Sequence, residues 1–184
     1  METAQILALV AFVLLAGAVA VGAQRAGSAL NRTRVAEGFR GDVVDLARRV
    51  ELTLGEVSSA IDMVRRRDAE AESIRTALGA AQDATERHTD EARRLGGPPA
   101  VAPYRQAIVD ELDRAGRALD LIDHGCALAM TGRRQERGPE ADTAIKRGYL
   151  NLIHARESIA EHAAAAVREA EAASPVRRFG RRPS

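Results

Sequence analysis

Residues 6–23 read Ile-Leu-Ala-Leu-Val-Ala-Phe-Val-Leu-Leu-Ala-Gly-Ala-Val-Ala-Val-Gly-Ala, a run without a charged or strongly polar side chain. As a helix it would rise about 27 Å at ~1.5 Å per residue, close to the thickness of a bilayer hydrocarbon core, roughly 30 Å. Because a backbone in lipid must satisfy its own hydrogen bonds, a helix is expected despite Gly17 and Gly22. The sequence therefore predicts a transmembrane anchor at residues 1–24.

The charges that flank this run predict its orientation. No arginine or lysine precedes it, whereas arginines follow it at four positions: Arg25, Arg32, Arg34 and Arg40. Since positive charge is retained on the cytoplasmic side, we expect a single-pass protein of the cell membrane with its N-terminus outside and its body in the cytoplasm. The alternative is a signal peptide cleaved after Ala20 or Ala23, which would release an extracytoplasmic helical protein.

The composition limits both the core and the partners. A formal net charge of +1 argues against nucleic acid as an electrostatic partner. With three phenylalanines, two tyrosines and no tryptophan, the core must pack alanine, leucine, valine and isoleucine between closely spaced helices. Cys126 is the single cysteine, so an intrachain disulfide is excluded, as expected in a reducing compartment.

The stretch after the anchor has the pattern of a long amphipathic helix. Good helix formers fill residues 28–95 without a proline, and apolar residues recur at spacings of three and four. A break is expected at the glycines of 38–41 or near 53–55, because Thr53 and Glu56 have the spacing of a capping box. We expect the apolar seam to offer a surface to a second copy or a partner helix. The seam comprises Phe39, Val43, Leu46, Val50, Leu54, Val57, Ile61 and Val64.

Residues 95–103, Leu-Gly-Gly-Pro-Pro-Ala-Val-Ala-Pro, form the clearest stop signal in the chain. A polar loop at 132–139 separates two further helical stretches, and short connectors favour antiparallel neighbours. The sequence predicts an all-α protein: a transmembrane helix, then an up-down bundle or coiled coil of about three long helices. The predicted parts are a basic juxtamembrane segment at 25–41 and a bundle at 42–173, with helices at about 42–95, 103–131 and 140–173.

The last stretch, residues 174–184, is basic and contains no acidic residue. We predict that it is disordered and contacts anionic lipid, at about 1 kcal/mol per basic residue near a membrane surface. The alternative is that this stretch binds nothing and only increases solubility. Its basic residues are Arg177, Arg178, Arg181 and Arg182.

The histidines and the cysteine give no catalytic or metal pattern. His88 precedes Glu91, and His154 precedes Glu157, with the spacing found in carboxylate-bridged metal bundles, but the further glutamates such a site needs are not evident. His88 falls on the continued seam and is predicted to be a partly buried structural residue. Our prediction is no catalytic residue, no cofactor and no metal ligand.

Cys126 is predicted to be a buried structural thiol. It lies on an apolar helical face, and a histidine two residues away on a helix points in another direction. A helical metal-binding or phosphotransfer module using His124 or His154 is the least favoured alternative.

Two arginine runs are predicted to be surface features. Arg65-Arg66-Arg67 precedes Asp68, Glu70 and Glu72, a pattern typical of a solvated, self-paired face. The run at 133–137 lies in a polar loop, where it would contact lipid, an acidic partner or solvent alone. The sequence as a whole favours a membrane-anchored helical interaction or scaffold protein that is not an enzyme and that pairs with a second copy or a partner helix.

Overall fold

A computed structural model describes the backbone of residues 2–131 and 138–173, and the side chains of residues 33–130 and 138–173. It contains four helices: α1 (Glu2–Arg66), α2 (Arg75–Arg94), α3 (Ala102–Thr131) and α4 (Gly138–Ala173). Short 3₁₀ turns precede α2 at Ala71–Ile74 and α3 at Pro99–Val101. No strand occurs among the described residues, which confirms the predicted all-α class.

The helices form an up-down-up-down four-helix bundle. Successive helices contact each other, and α4 closes the ring against α1, so that α1 and α3 occupy opposite corners. We call the end at which α1 enters the bundle the proximal end; it comprises Phe39, the loop at residues 95–101 and Glu171. The distal end comprises Arg66, the turn at residues 67–74 and Gly138.

The predicted helix at 42–95 is wrong, because the chain turns within it. α1 continues through Gly38, Gly41 and Gly55 without a break and ends at Arg66. The bundle therefore has four helices instead of three, whereas α3 and α4 match the predicted ranges closely. Its core begins at Ala36, earlier than the predicted start at residue 42.

The turn after α1 is a Schellman motif without glycine. Arg67 has a φ of 64°, in the left-handed region. Its N–H donates to the carbonyl oxygen of Val64 at 3.0 Å, and the N–H of Asp68 donates to that of Met63 at 2.9 Å. Glycine usually occupies the Arg67 position, because its missing Cβ removes the steric cost. The sequence therefore carries no local signal for this turn.

The predicted apolar seam of α1 is buried inside the chain itself. Its members from Phe39 to Ile61 are at most 3% exposed, since α2 and α4 cover that face. The expectation that this seam is an open surface for a partner is therefore wrong. The predicted aliphatic core is confirmed: Phe39 is the aromatic residue among the buried side chains of the described residues.

Two glycines allow α3 and α4 to approach closely. A Cβ at Gly148 would lie 2.5 Å from Ile122 Cγ1 and 2.8 Å from the carbonyl oxygen of Ala118. A Cβ at Gly125 would lie 2.7 Å from Ile145 Cγ1. These distances are below van der Waals contact, so the backbone separation depends on both glycines.

Within the part of the chain whose side chains are described, no helix is long and apolar enough to cross a bilayer. The side chains of residues 6–23 lie outside that part. The assignment of this segment as a transmembrane helix therefore stays a prediction.

Candidate interaction site at the proximal end

The proximal end is closed by the loop between α2 and α3, which folds over Phe39. Phe39 is 1% exposed, and a Cβ added at Gly97 would lie 2.7 Å from its Cδ2 atom. The same Cβ would lie 2.8 Å from Val101 Cγ2. Glycine at position 97 is therefore what lets the loop backbone rest on the phenyl ring.

Polar contacts hold this loop in place. The Arg105 Nη1 atom donates a hydrogen bond to the carbonyl oxygen of Leu95 at 2.8 Å, at the end of α2. The N–H of Val101 donates to the carbonyl oxygen of Pro98 at 3.1 Å. With the Leu95 and Val101 side chains buried, the loop forms a fixed cap on the proximal end.

The last turn of α4 lies beside the point where α1 enters the bundle. Arg40 Nη2 and Glu171 Oε1 form an ion pair at 3.5 Å. Next to this pair, a shallow groove between the helices is lined by Glu37, Arg40, Gly41, Val44, Asp45 and Val167. The chain after Ala173 therefore starts at the same end of the bundle from which α1 leads back to the apolar segment.

A second groove opens at the distal end, between the turn after α1 and the facing ends of α3 and α4. Its walls carry charges of both signs, including Lys146, Glu70 and Asp142. The run at residues 133–137, predicted to contact lipid or an acidic partner, lies outside the described residues.

The run Arg65-Arg66-Arg67 is paired, but not with the predicted acids. Arg65 and Arg66 form ion pairs with Asp62, at 3.0 and 2.7 Å. Arg67 lies 3.9 Å from Asp142 on α4. Because α1 ends at Arg66, Arg65 and Arg66 lie one helical turn after Asp62. The predicted partners Asp68, Glu70 and Glu72 lie beyond the end of this helix.

His88 is a polar residue of α2 that is partly buried. Its Nδ1 atom is buried without a hydrogen-bond partner. Burial, and secondarily the positive charge of Arg49, lowers the pKa of the imidazole below its usual value of 6.5. Glu91, its predicted neighbour, forms an ion pair with Arg49 of α1. The prediction that His88 is partly buried is confirmed.

Cys126 is fully buried in the core, as predicted. Burial, with the nearby charge of Asp123 as a second cause, raises the pKa of the thiol to about 11. The thiolate, which is the reactive form, is therefore scarce at neutral pH.

The remaining histidines are spread over the surface. His124 on α3 and His154 on α4 are exposed, and His162 is half-buried. Among the described residues, no three histidine, cysteine, aspartate or glutamate side chains come together as a metal site would require.

Comparison with known proteins gives no relative: no family model, no curated protein and no solved structure matches this chain. Any role of the proximal end is therefore inferred from the contacts within this chain. The pairing of Arg40 with Glu171 is not predictable from the sequence, because it depends on the number of helices between them and no local pattern encodes that number.

Proposed function

We propose that this protein is a single-pass membrane-anchored scaffold, whose helical bundle is held beside the inner face of the cell membrane. One observation carries the proposal: α1 is a continuous helix from Glu2 to Arg66. Its early part contains the apolar residues 6–23, and its later part forms a wall of the bundle. A continuous helix transmits the position and direction of an anchor to the body without a flexible linker.

The arginines between anchor and bundle support a cytoplasmic body. Arg25, Arg32, Arg34 and Arg40 follow the apolar residues, and positive charge near a membrane segment favours the inner side. A reporter fused after Ser184, active in the cytoplasm alone, tests the orientation. Mass spectrometry of the mature N-terminus tests the anchor, since a chain starting at Val21 or Gln24 would mean that the segment is cleaved.

We propose a scaffold and not an enzyme because the chemically capable side chains are separated or inert. The Cys126 thiol is buried, and the exposed histidines lie on different helices. Stoichiometric metal or phosphohistidine in the purified chain, lost on changing His154 or His124, would contradict this part of the proposal.

Self-association is proposed to use the outward face of α1, since the inward face is occupied. Leu52 is 55% exposed and Met63 48%, and their spacing of about three helical turns places them on one side. Light scattering of the full chain in detergent micelles tests this. Leu52→Glu should shift the chain towards monomer, whereas Leu150→Glu, at a similarly exposed leucine of α4, should not. A wild-type chain that is strictly monomeric would contradict it.

A further inference from the structure

We propose that two copies of this chain pair in parallel and in register along the outward face of α1, with Asp45 of each copy opposite Arg48 of the other. The inference rests on the proposed function and deepens it, because it specifies how the self-associating copies are arranged. We call the residues concerned the outward stripe. It comprises Gly38, Gly41, Asp45, Arg48, Leu52, Gly55, Ser59 and Met63.

The outward stripe has the repeat with which two long helices follow each other. From Gly38 to Ser59 the spacing alternates between three and four residues, as in a two-stranded coiled coil. The apolar seam of α1 occupies the opposite face, where α2 and α4 cover it. The members of the stripe are exposed, except for Gly55, which is partly exposed. A single chain therefore leaves this face of α1 open along the bundle.

Asp45 and Arg48 carry opposite charges that the single chain leaves unpaired. Neither forms an ion pair with another residue whose side chain the structure describes. The nearby Arg40 and Arg49, by contrast, pair with acids of α4 and α2. In a pair related by a twofold axis, each Asp45 faces the partner's Arg48. Their offset along the axis is about 4.5 Å, which an arginine side chain can reach.

Gly38 and Gly41 have no packing role among the described contacts of the single chain. A Cβ added at either position would meet nothing within 4 Å, and neither glycine has a positive φ. Glycine weakens a helix relative to alanine, so these positions gain nothing from it inside one copy. Small residues on a helix face let a second helix approach closely. The two glycines therefore fit a face that a second α1 covers.

The proposed anchor sets the direction and the register of the pair. Two copies that are held in one membrane by the same apolar segment leave the bilayer in the same direction. Since α1 is continuous from Glu2 to Arg66, equal residues of the two copies lie at equal heights, as the charge pair requires. Leu52, which is 55% exposed in the single chain, then packs against Leu52 of the other copy and loses water contact.

Exchange of charge between two variants of the full chain tests the pairing. Asp45→Arg or Arg48→Asp places like charges opposite each other and should raise the dimer dissociation constant about ten-fold or more. The chain that carries both changes should dimerise like the wild type. A mixture of the two single variants should form heterodimers, because each copy supplies the charge that the other lacks. A charge pair within one copy would not produce this preference.

Energy transfer between chains that carry donor and acceptor fluorescent proteins after Ser184 measures these constants in detergent micelles. Asp42→Arg is the matched control, since Asp42 is exposed and lies outside the outward stripe. It makes the same change of charge three residues away and should leave dimerisation unchanged. Circular dichroism checks that each variant keeps its helix content.

Disulfide formation tests the direction and the register. Ser59→Cys should crosslink two copies under mild oxidation, because a disulfide needs Cα atoms about 4.4–6.8 Å apart. In an antiparallel pair centred on Leu52, the two positions 59 would lie about 21 Å apart at ~1.5 Å per residue. Leu150→Cys, at an exposed site of α4, should not crosslink. The native Cys126 is fully buried and does not compete.

Charge reversal without effect, a mixture without preference for heterodimers, or no crosslink at position 59 would overturn the inference. In each of these cases a wild-type chain that dimerises leaves the proposed self-association in place. A wild-type chain that is strictly monomeric removes both proposals.

Discussion

The loop that follows α2 carries two glycines and two prolines, whereas the turn that precedes α2 carries neither residue type. In the loop, Gly97 gives room for Phe39, and Pro98 and Pro99 stop the helix. In the turn, Arg67 takes a left-handed conformation that costs an ordinary residue about 1–2 kcal/mol. One turn is thus encoded by its own residues, and the other is imposed by the packing of the helices around it.

The largest expected effect is the loss of Phe39 from beneath the proximal loop. Phe39→Ala should lower the free energy of unfolding by about 3–5 kcal/mol, because it leaves a cavity in a fully buried site. Urea unfolding of the full chain in detergent micelles, followed by circular dichroism, measures this. Val44→Ala, at a position 53% exposed, should change stability by no more than about 0.5 kcal/mol. Equal effects of the two changes would mean that the loop does not depend on Phe39.

Gly97→Ala tests the close approach of the loop backbone. The added Cβ would lie 2.7 Å from Phe39 Cδ2 and 2.8 Å from Val101 Cγ2, so a loss of about 1–3 kcal/mol is expected from overpacking. Gly96→Ala is the matched control, since nothing lies within 4 Å of its added Cβ. Neither glycine has a positive φ, and the difference in melting temperature between the variants therefore reports on contact. Similar melting temperatures would contradict the close packing of Gly97 against Phe39 and Val101.

Arg67→Gly tests the imposed turn. Glycine accepts the left-handed conformation without a Cβ clash, and the free energy of unfolding should rise by about 1 kcal/mol. Arg67→Ala keeps the Cβ and also removes the exposed ion pair with Asp142, so it separates the backbone effect from the charge. A glycine variant no more stable than the alanine variant in urea would show that the turn is unstrained.

The smallest expected effect is the pH dependence of stability that His88 causes. This residue lies on α2, between the two turns. The pKa of His88 is lowered in the folded chain, mainly by burial. As the pH falls below 6.5, the usual value, the unfolded chain takes up the proton first, and stability falls until the lower folded-state pKa is reached. At higher pH His88 is neutral in both the folded and the unfolded chain, so its protonation no longer changes the stability. Arg49, Glu91 and Arg87 are the charges that act on it.

Melting temperatures between about pH 5 and about pH 7.5 measure this dependence. In His88→Gln the part of the pH dependence due to this residue should disappear, whereas His154→Gln, at an exposed site, should leave the profile unchanged. Identical profiles for the wild-type chain and His88→Gln would contradict the assignment.

The comparison of the two turns also explains which predictions from the sequence succeeded. The stop signal at residues 95–103 and the approximate ranges of α3 and α4 were predicted, because glycine, proline and apolar periodicity are local signals. The sequence predicts the apolar seam of α1 but not its partners, because the helices that cover it are distant along the chain. The turn at residues 67–74 was missed because Arg67, Ala69 and Glu70 read as ordinary helix.

The candidate site at the proximal end likewise combines residues that the sequence shows with a placement that only the fold decides. Arg40 and Glu171 are visible in the sequence, but their pairing at the proximal end is not. That pairing depends on an even number of bundle helices.

The sequence by itself determined an all-helical chain, an aliphatic core and an apolar segment followed by arginines, since composition and periodicity act over a few neighbouring residues. Only the tertiary structure decided that the chain reverses at Arg67 and that α4 returns to the end where α1 enters. The physical reason is that α2 and α4 bury the apolar face of α1, and the chain can place them there only by reversing after α1. The gain from that burial exceeds the local cost of a left-handed arginine.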